Sequence, residues 1–150
     1  MAAPLIYLDN NGTTIPHVKV VELVKDWTTS YNPSSDSKWA KACSSMIDKV
    51  RQAIHKHTNT TPQTHTIIFT SGASESNSTI IRDCAYSYYR LTKTRGHIIS
   101  SAVEHSSVLQ CLENLKDEGV ISYSLISPNI YGTVNVADVE KEIDSVRSKG

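Results

Sequence analysis

Ile67-Ile68-Phe69-Thr70-Ser71-Gly72-Ala73-Ser74-Glu75-Ser76-Asn77 is the stretch on which the fold class turns. The β-rich run Thr66–Thr70 stops at Ser71-Gly72, and a helical pattern from Ala73 to about Leu91 begins directly after it. A strand that runs straight into a helix gathers the helix's unpaired backbone N–H groups and its partial positive end into one small volume. An anion, and a phosphate in particular, is stabilised there. Ser71, Ser74 and Ser76 add hydroxyl donors, and Gly72 allows close backbone approach. The turn contains neither Gly-Lys-[Ser/Thr] nor G-x-G-x-x-G, so it is no nucleotide loop of those kinds. Its physics alone equally describes a helix N-terminus capped by Ser71 with nothing bound.

Working outward, His97-Ile98-Ile99-Ser100 reads as a second strand and Val120–Ile126 as a third, packed parallel to those at Thr66 and His97. Val108, Leu109, Leu112 and Leu115 mark a helix between them, with Gly119 at its end in the left-handed position glycine tolerates. Asn135 is placed to cap a last helix over 136–149. Alternation of this kind specifies an α/β domain with a mainly parallel sheet flanked by helices. Ahead of it, Leu5–Leu8 is strand-like and Asp9-Asn10-Asn11-Gly12 is a turn. Val18, Val21, Leu23, Val24 and Trp27 then give a helix after Pro16. Asn32-Pro33 breaks it, and Trp39, Cys43, Met46, Ile47, Val50 and Ile54 line one side of a second helix from Ser37 to His57, whose polar remainder faces solvent. Three parallel strands with both faces to cover make a thin core, so the sequence reads as part of a larger fold.

Fifteen Lys and Arg balance fifteen Asp and Glu in 150 residues. That neutrality argues against a nucleic-acid partner bound through a basic face. No apolar run reaches membrane-spanning length and the start has no basic and apolar leader pattern, so a soluble, cytoplasmic protein is expected. Cys43, Cys84 and Cys111 are widely spaced, without C-x-x-C, and suggest small buried or half-buried side chains rather than a disulfide or zinc site.

A second constellation, Ser101-Ala102-Val103-Glu104-His105-Ser106-Ser107, lies past the carboxyl end of the His97 strand. Ligands of open α/β sheets bind at that edge, so His105 and the Ser71–Ser74 turn fall on the same edge of the sheet. An imidazole there can stack on a flat ring, move a proton, or simply sit solvated in its loop. The other five histidines form no metal-ligand grouping with it, so no metal is expected.

Tyr7-Leu8-Asp9-Asn10-Asn11-Gly12-Thr13-Thr14, Asn32-Pro33-Ser34-Ser35, Ile68–Asn77 and His97–His105 together resemble, in order, four motifs of the NifS-like cysteine desulfurases. These are pyridoxal-phosphate enzymes of the class V aminotransferases. The resemblance implies the N-terminal part of the large domain of an aspartate aminotransferase-like transferase. Residues 1–15 would begin the small domain and 16–150 would form an incomplete cofactor domain. It implies pyridoxal 5'-phosphate as cofactor, with the N–H groups of Ala73 and Ser74 and the Ser74 hydroxyl on the phosphate beside Gly72. His105 would stack on the ring and take part in proton transfer, and Asn11, Gly12 and Thr13 would lie on the substrate side. Ser74 stands where the family usually has Thr, Gly12 where it prefers Ala, and Ser37 and Ala40 where it usually shows His and Gly.

The implied activity is conversion of L-cysteine to L-alanine with sulfur carried as an enzyme persulfide, in a homodimer that serves a sulfur-acceptor protein, as in iron-sulfur cluster assembly. The family's imine lysine, pyridinium-pairing aspartate, carboxylate-binding arginine and nucleophilic cysteine match no residue of this chain. The 150 residues alone are therefore expected to bind the cofactor weakly or not at all and to be inactive. Other class V chemistry, such as that of a selenocysteine lyase or an aminotransferase-like relative, fits the same motifs. So does a non-catalytic scaffold or dimerisation module.

Overall fold

The computed structural model describes residues 6–148, in two compact units divided after Ile67. The first unit holds helix α1 (Val18–Trp27) and helix α2 (Lys38–Thr58). His17 caps α1, its side chain accepting from the Lys19 N–H, and the helix buries none of its residues. The Ser37 hydroxyl accepts from the Ala40 N–H at 3.1 Å and starts α2, while Asn59, in the left-handed region at φ 53°, ends it. Ala40 and Cys43 are buried. So is His55, against the expectation of a solvated polar face. Its Nδ1 lies 2.8 Å from the Thr60 hydroxyl, which lets the imidazole leave water without losing a partner.

The second unit runs α3 (Ala73–Thr92), β1 (Gly96–Ser101), α4 (Ser106–Asp117), β2 (Ile121–Ile126) and α5 (Val136–Ser148). β1 and β2 pair in parallel, from Gly96 opposite Ile121 to Ser101 opposite Ile126. The strand expected at Thr66–Thr70 is not in this sheet, which has two strands among the described residues. Strand character is completed by ladder pairing rather than by β-rich composition. Here Ile68 and Phe69 stay 77% and 53% exposed instead of joining the core.

Alternation along the strands separates two packed faces. Ile98, Ile121 and Tyr123 turn to α3 and α4, where Ala85, Cys111, Leu112, Leu115 and Val120 make the core with Ile81 and Val108 at its margin. Leu112 and Leu115 are fully buried, and with Val108 and Cys111 they hold the three-and-four spacing that keeps one face of α4 inward. The end of α4 is a Schellman turn. The Val120 N–H donates to the Leu115 carbonyl at 3.0 Å and the Gly119 N–H to that of Lys116 at 2.9 Å, with Gly119 at φ 74°. That turn delivers Val120 and Ile121 into the core on which α4 rests.

The opposite face carries α5. His97 Nδ1 lies 2.8 Å from the Ser122 hydroxyl and its Nε2 2.9 Å from that of Ser124, which in turn donates to Glu142 of α5 at 2.5 Å. Asn135 precedes α5 as expected, but its amide nitrogen donates to the Asp138 carboxylate at 3.1 Å.

Two tyrosine–carboxylate pairs tie α4 to its neighbours: Tyr86 of α3 donates to Glu118, and Tyr123 of β2 to Glu113. The Tyr123 hydroxyl, then Lys116, holds the Glu113 carboxyl below its ordinary 4.5. The Tyr86 hydroxyl does the same for Glu118. The same bonds raise both phenols above 10.0. A carboxyl depressed by folding contributes stability that is present above its unfolded value and lost as pH falls through the folded one. A raised phenol contributes below 10.0 and loses that contribution as pH rises through its folded value. The melting temperature of the second unit is therefore expected to fall below about pH 4.5 and again above about pH 10. Circular dichroism melts across that range check it. The double variant Glu113→Gln, Glu118→Gln is expected to flatten the acid limb, and an unchanged limb would contradict the linkage.

Candidate active site

At the start of α3 the N-cap position is Gly72, and no described side chain caps the helix. Ser71, the expected cap, is committed elsewhere. Its N–H donates to a Glu75 carboxylate oxygen at 2.6 Å and its hydroxyl to the same oxygen at 2.7 Å. The Ser71 N–H, then the hydroxyl, holds the Glu75 carboxyl below its usual range. The Thr70 hydroxyl bridges the turn, within 3.1 Å of the Gly72 carbonyl and 2.8 Å of the Ser76 hydroxyl. The first intrahelical bond runs from Ser76 N–H to Gly72 carbonyl at 3.1 Å. The amides of Ala73 and Ser74 thus come before the helix's own ladder begins, and an anion would meet them. A Cβ built on Gly72 meets nothing within 4 Å, its chain neighbours aside.

His105 stands at the N-cap of α4. Its Nδ1 accepts from the Ser107 N–H at 3.1 Å and lies 2.9 Å from the Ser107 hydroxyl. Ser107 is held in turn by Asn77 of α3, whose Nδ2 donates to that hydroxyl at 3.1 Å. A side-chain bridge therefore fastens the starts of the two helices together, and Ser74 and His105 line one cleft of about 450 Å³ with Ser78, Arg82 and Gln110. The cleft's one cation among the described residues is engaged. Arg82 donates to Tyr86 at 3.2 Å and pairs with Glu118 at 3.4 Å. Of the cysteines, Cys43 and Cys111 are buried and Cys84 is exposed, which departs from the expectation for Cys84. Cys84 sits on the outward side of α3 and borders a separate space near the amino ends of the strands. Burial pushes the Cys111 thiol up, toward the protonated and unreactive form.

Gly72, Ala73, Ser74 and His105 are thus brought to one end of the second unit. Asn11, Gly12 and Thr13 belong to the first unit, in a turn where the Gly12 and Thr13 N–H groups donate to the Asp9 carbonyl at 3.2 and 3.1 Å. All three are exposed. Asn77 and Ser107, the residues that join the cradle to the histidine, carried no role in the sequence reading. A serine two positions after a capping histidine was the available signal, but its partner lies thirty residues away. Among the described residues no cluster of three His, Cys, Asp or Glu side chains could hold a metal ion. No described helix is long and apolar enough to cross a membrane.

The donor set fits the phosphate of a pyridoxal cofactor: two leading amides, a hydroxyl on the same turn, and an imidazole on a cleft that Ser74 also lines. Residues 6–148 match the aminotransferase class-V family. A mitochondrial cysteine desulfurase of Eremothecium gossypii is 33% identical over 141 residues, 92% of this chain and 28% of the relative. Among solved structures, SspA in complex with cysteine aligns with a TM-score of 0.76 at 30% identity, covering 87% of this chain and 36% of that one. A NifS-like protein aligns with a TM-score of 0.78 at 25% identity, covering 88% and 35%. The chain spans about a third of the length of each of these relatives. Over residues 6–148, which take in the sheet and its flanking helices, the chain belongs to the aminotransferase class-V family.

Proposed function

We propose that this chain forms the N-terminal part of a NifS-like cysteine desulfurase. In that reading residues 1–15 begin the small domain and 16–150 belong to the cofactor domain. The observation that carries it is the meeting of the α3 N-terminus, uncapped among the described residues, with His105 on one cleft. The Ala73 and Ser74 amides and the Ser74 hydroxyl hold the cofactor phosphate, with the α3 dipole opposing its charge. Pyridoxal 5'-phosphate, when bound, supplies an electron sink for bond cleavage at the substrate's α- and β-carbons. His105 covers the ring and offers Nε2 for hydrogen bonding, because Nδ1 is occupied by Ser107. Asn11, Gly12 and Thr13 line the substrate side. The intact reaction takes L-cysteine to L-alanine. The substrate's sulfur passes to an enzyme thiolate, giving a persulfide, and the freed carbon position takes up a proton. The intact protein is a homodimer that hands this sulfur to an acceptor protein.

The 150 residues by themselves contain no residue matching the family's imine lysine or persulfide cysteine. With added cofactor they are expected to form no alanine from L-cysteine above a free-cofactor control. Exchanged for the matching third of a cysteine desulfurase, residues 6–148 are expected to support alanine formation. A folded chimera that binds cofactor yet forms none would overturn the assignment to this reaction.

A further inference from the structure

We propose that Asn77 and Ser107 are positioning residues that set the tautomer of the neutral His105 ring, with its proton on Nε2, so that the histidine meets a bound ring or substrate as a hydrogen-bond donor. Why a donor rather than a base follows from the direction of the chain of contacts. Asn77 Nδ2 carries only hydrogens and donates to Ser107 Oγ at 3.1 Å. Ser107 Oγ lies 2.9 Å from His105 Nδ1, within reach for its own hydrogen to be donated to that nitrogen. The Ser107 backbone N–H aims at the same nitrogen from 3.1 Å and can only donate. Two donors converge on Nδ1, which leaves no place for a proton there, and a neutral ring must then carry it on Nε2. His105 is exposed, and the bonds to Ser107 are the side-chain contacts that fix its ring among the described residues. The relay also crosses from α3 to α4, so the helix that presents Ser74 is the one that orients the histidine.

The consequence for chemistry rests on the cofactor-site reading above, but the relay itself does not. Nitrogen-detected NMR of the chain without cofactor reads which imidazole nitrogen of His105 bears the proton. For the unaltered chain at a pH where the ring is neutral, the Nε2–H form is expected to dominate. Ser107→Ala removes the hydroxyl contact but keeps the backbone one, and is expected to lower the ratio of Nε2–H to Nδ1–H about fivefold. Ser107→Thr keeps the hydroxyl and restores the ratio. Asn77→Asp preserves size but replaces the donor with an acceptor, drawing the Ser107 hydrogen away from the ring, and is expected to act like Ser107→Ala. A packing role alone would leave Asn77→Asp at the level of the unaltered chain. A proton found on Nδ1, or a ratio indifferent to both Ser107→Ala and Asn77→Asp, overturns the relay. Failure of the cofactor reading shows separately, as absence of any response at Ala73 and Ser74 to pyridoxal 5'-phosphate, and leaves the tautomer result standing.

Discussion

Leu112→Ala is expected to destabilise the second unit by about 2–5 kcal/mol, enough to leave much of it unfolded at 37 °C. Leu112 is wholly buried in a core of few large side chains, where Leu115 and Ile121 are its counterparts. The cost combines lost transfer energy with the cavity left behind, since neighbours held by a helix and two strands collapse only in part. The exposed Leu91, on the outer side of α3, is the control, and Leu91→Ala is expected to shift stability by less than about 0.5 kcal/mol. Urea titration followed by circular dichroism measures both. Equal effects at the two sites would mean that α4 does not carry the core.

Ser74→Asp is expected to abolish binding of pyridoxal 5'-phosphate while leaving the fold intact or slightly firmer. The new carboxylate would lie against the phosphate, where like charges repel in a site built to concentrate positive potential. In the first turn of α3 the same charge interacts favourably with the helix dipole. Loss of binding therefore comes without loss of folding, which separates a binding role from a structural one. Ser74→Ala removes only the hydroxyl and is expected to weaken binding about tenfold, in keeping with a hydrogen bond to a charged group. Fluorescence or absorbance titration of the cofactor checks both variants, with a melt of each as the folding control.

What could be read from the sequence follows the range of the physical signal. The inward face of α4 is local, since Val108, Cys111, Leu112 and Leu115 recur at helical spacing, and Gly119 marks its end through its own backbone freedom. The start of α3 after Gly72 is local too. Pairing is not. Thr66–Thr70 has the composition of a strand, yet strand character depends on a neighbour that composition does not name, and the structure keeps it out of the β1–β2 sheet. His55 reads as a polar position on a solvated face until Thr60, beyond the end of its own helix, supplies a partner for it under cover. Ser71 looks like the α3 cap because serine is a good one, but Glu75 reaches back and claims it. The N-cap position itself falls on Gly72, which has no side chain to offer the leading amides. Ser74 and His105 were visible as separate motifs, whereas the bond from Asn77 to Ser107 that brings them to one cleft required coordinates.

The most direct test of the central claim is an amide NMR titration of the unaltered chain with pyridoxal 5'-phosphate, with pyridoxal, which lacks the phosphate, run in parallel. Saturable shifts are expected at the Ala73 and Ser74 amides with the phosphorylated compound, accompanied by movement of the His105 ring signals. With pyridoxal none is expected at the two amides. Shifts that appear equally with both compounds, or that leave Ala73 and Ser74 unmoved, would contradict a phosphate cradle at the start of α3.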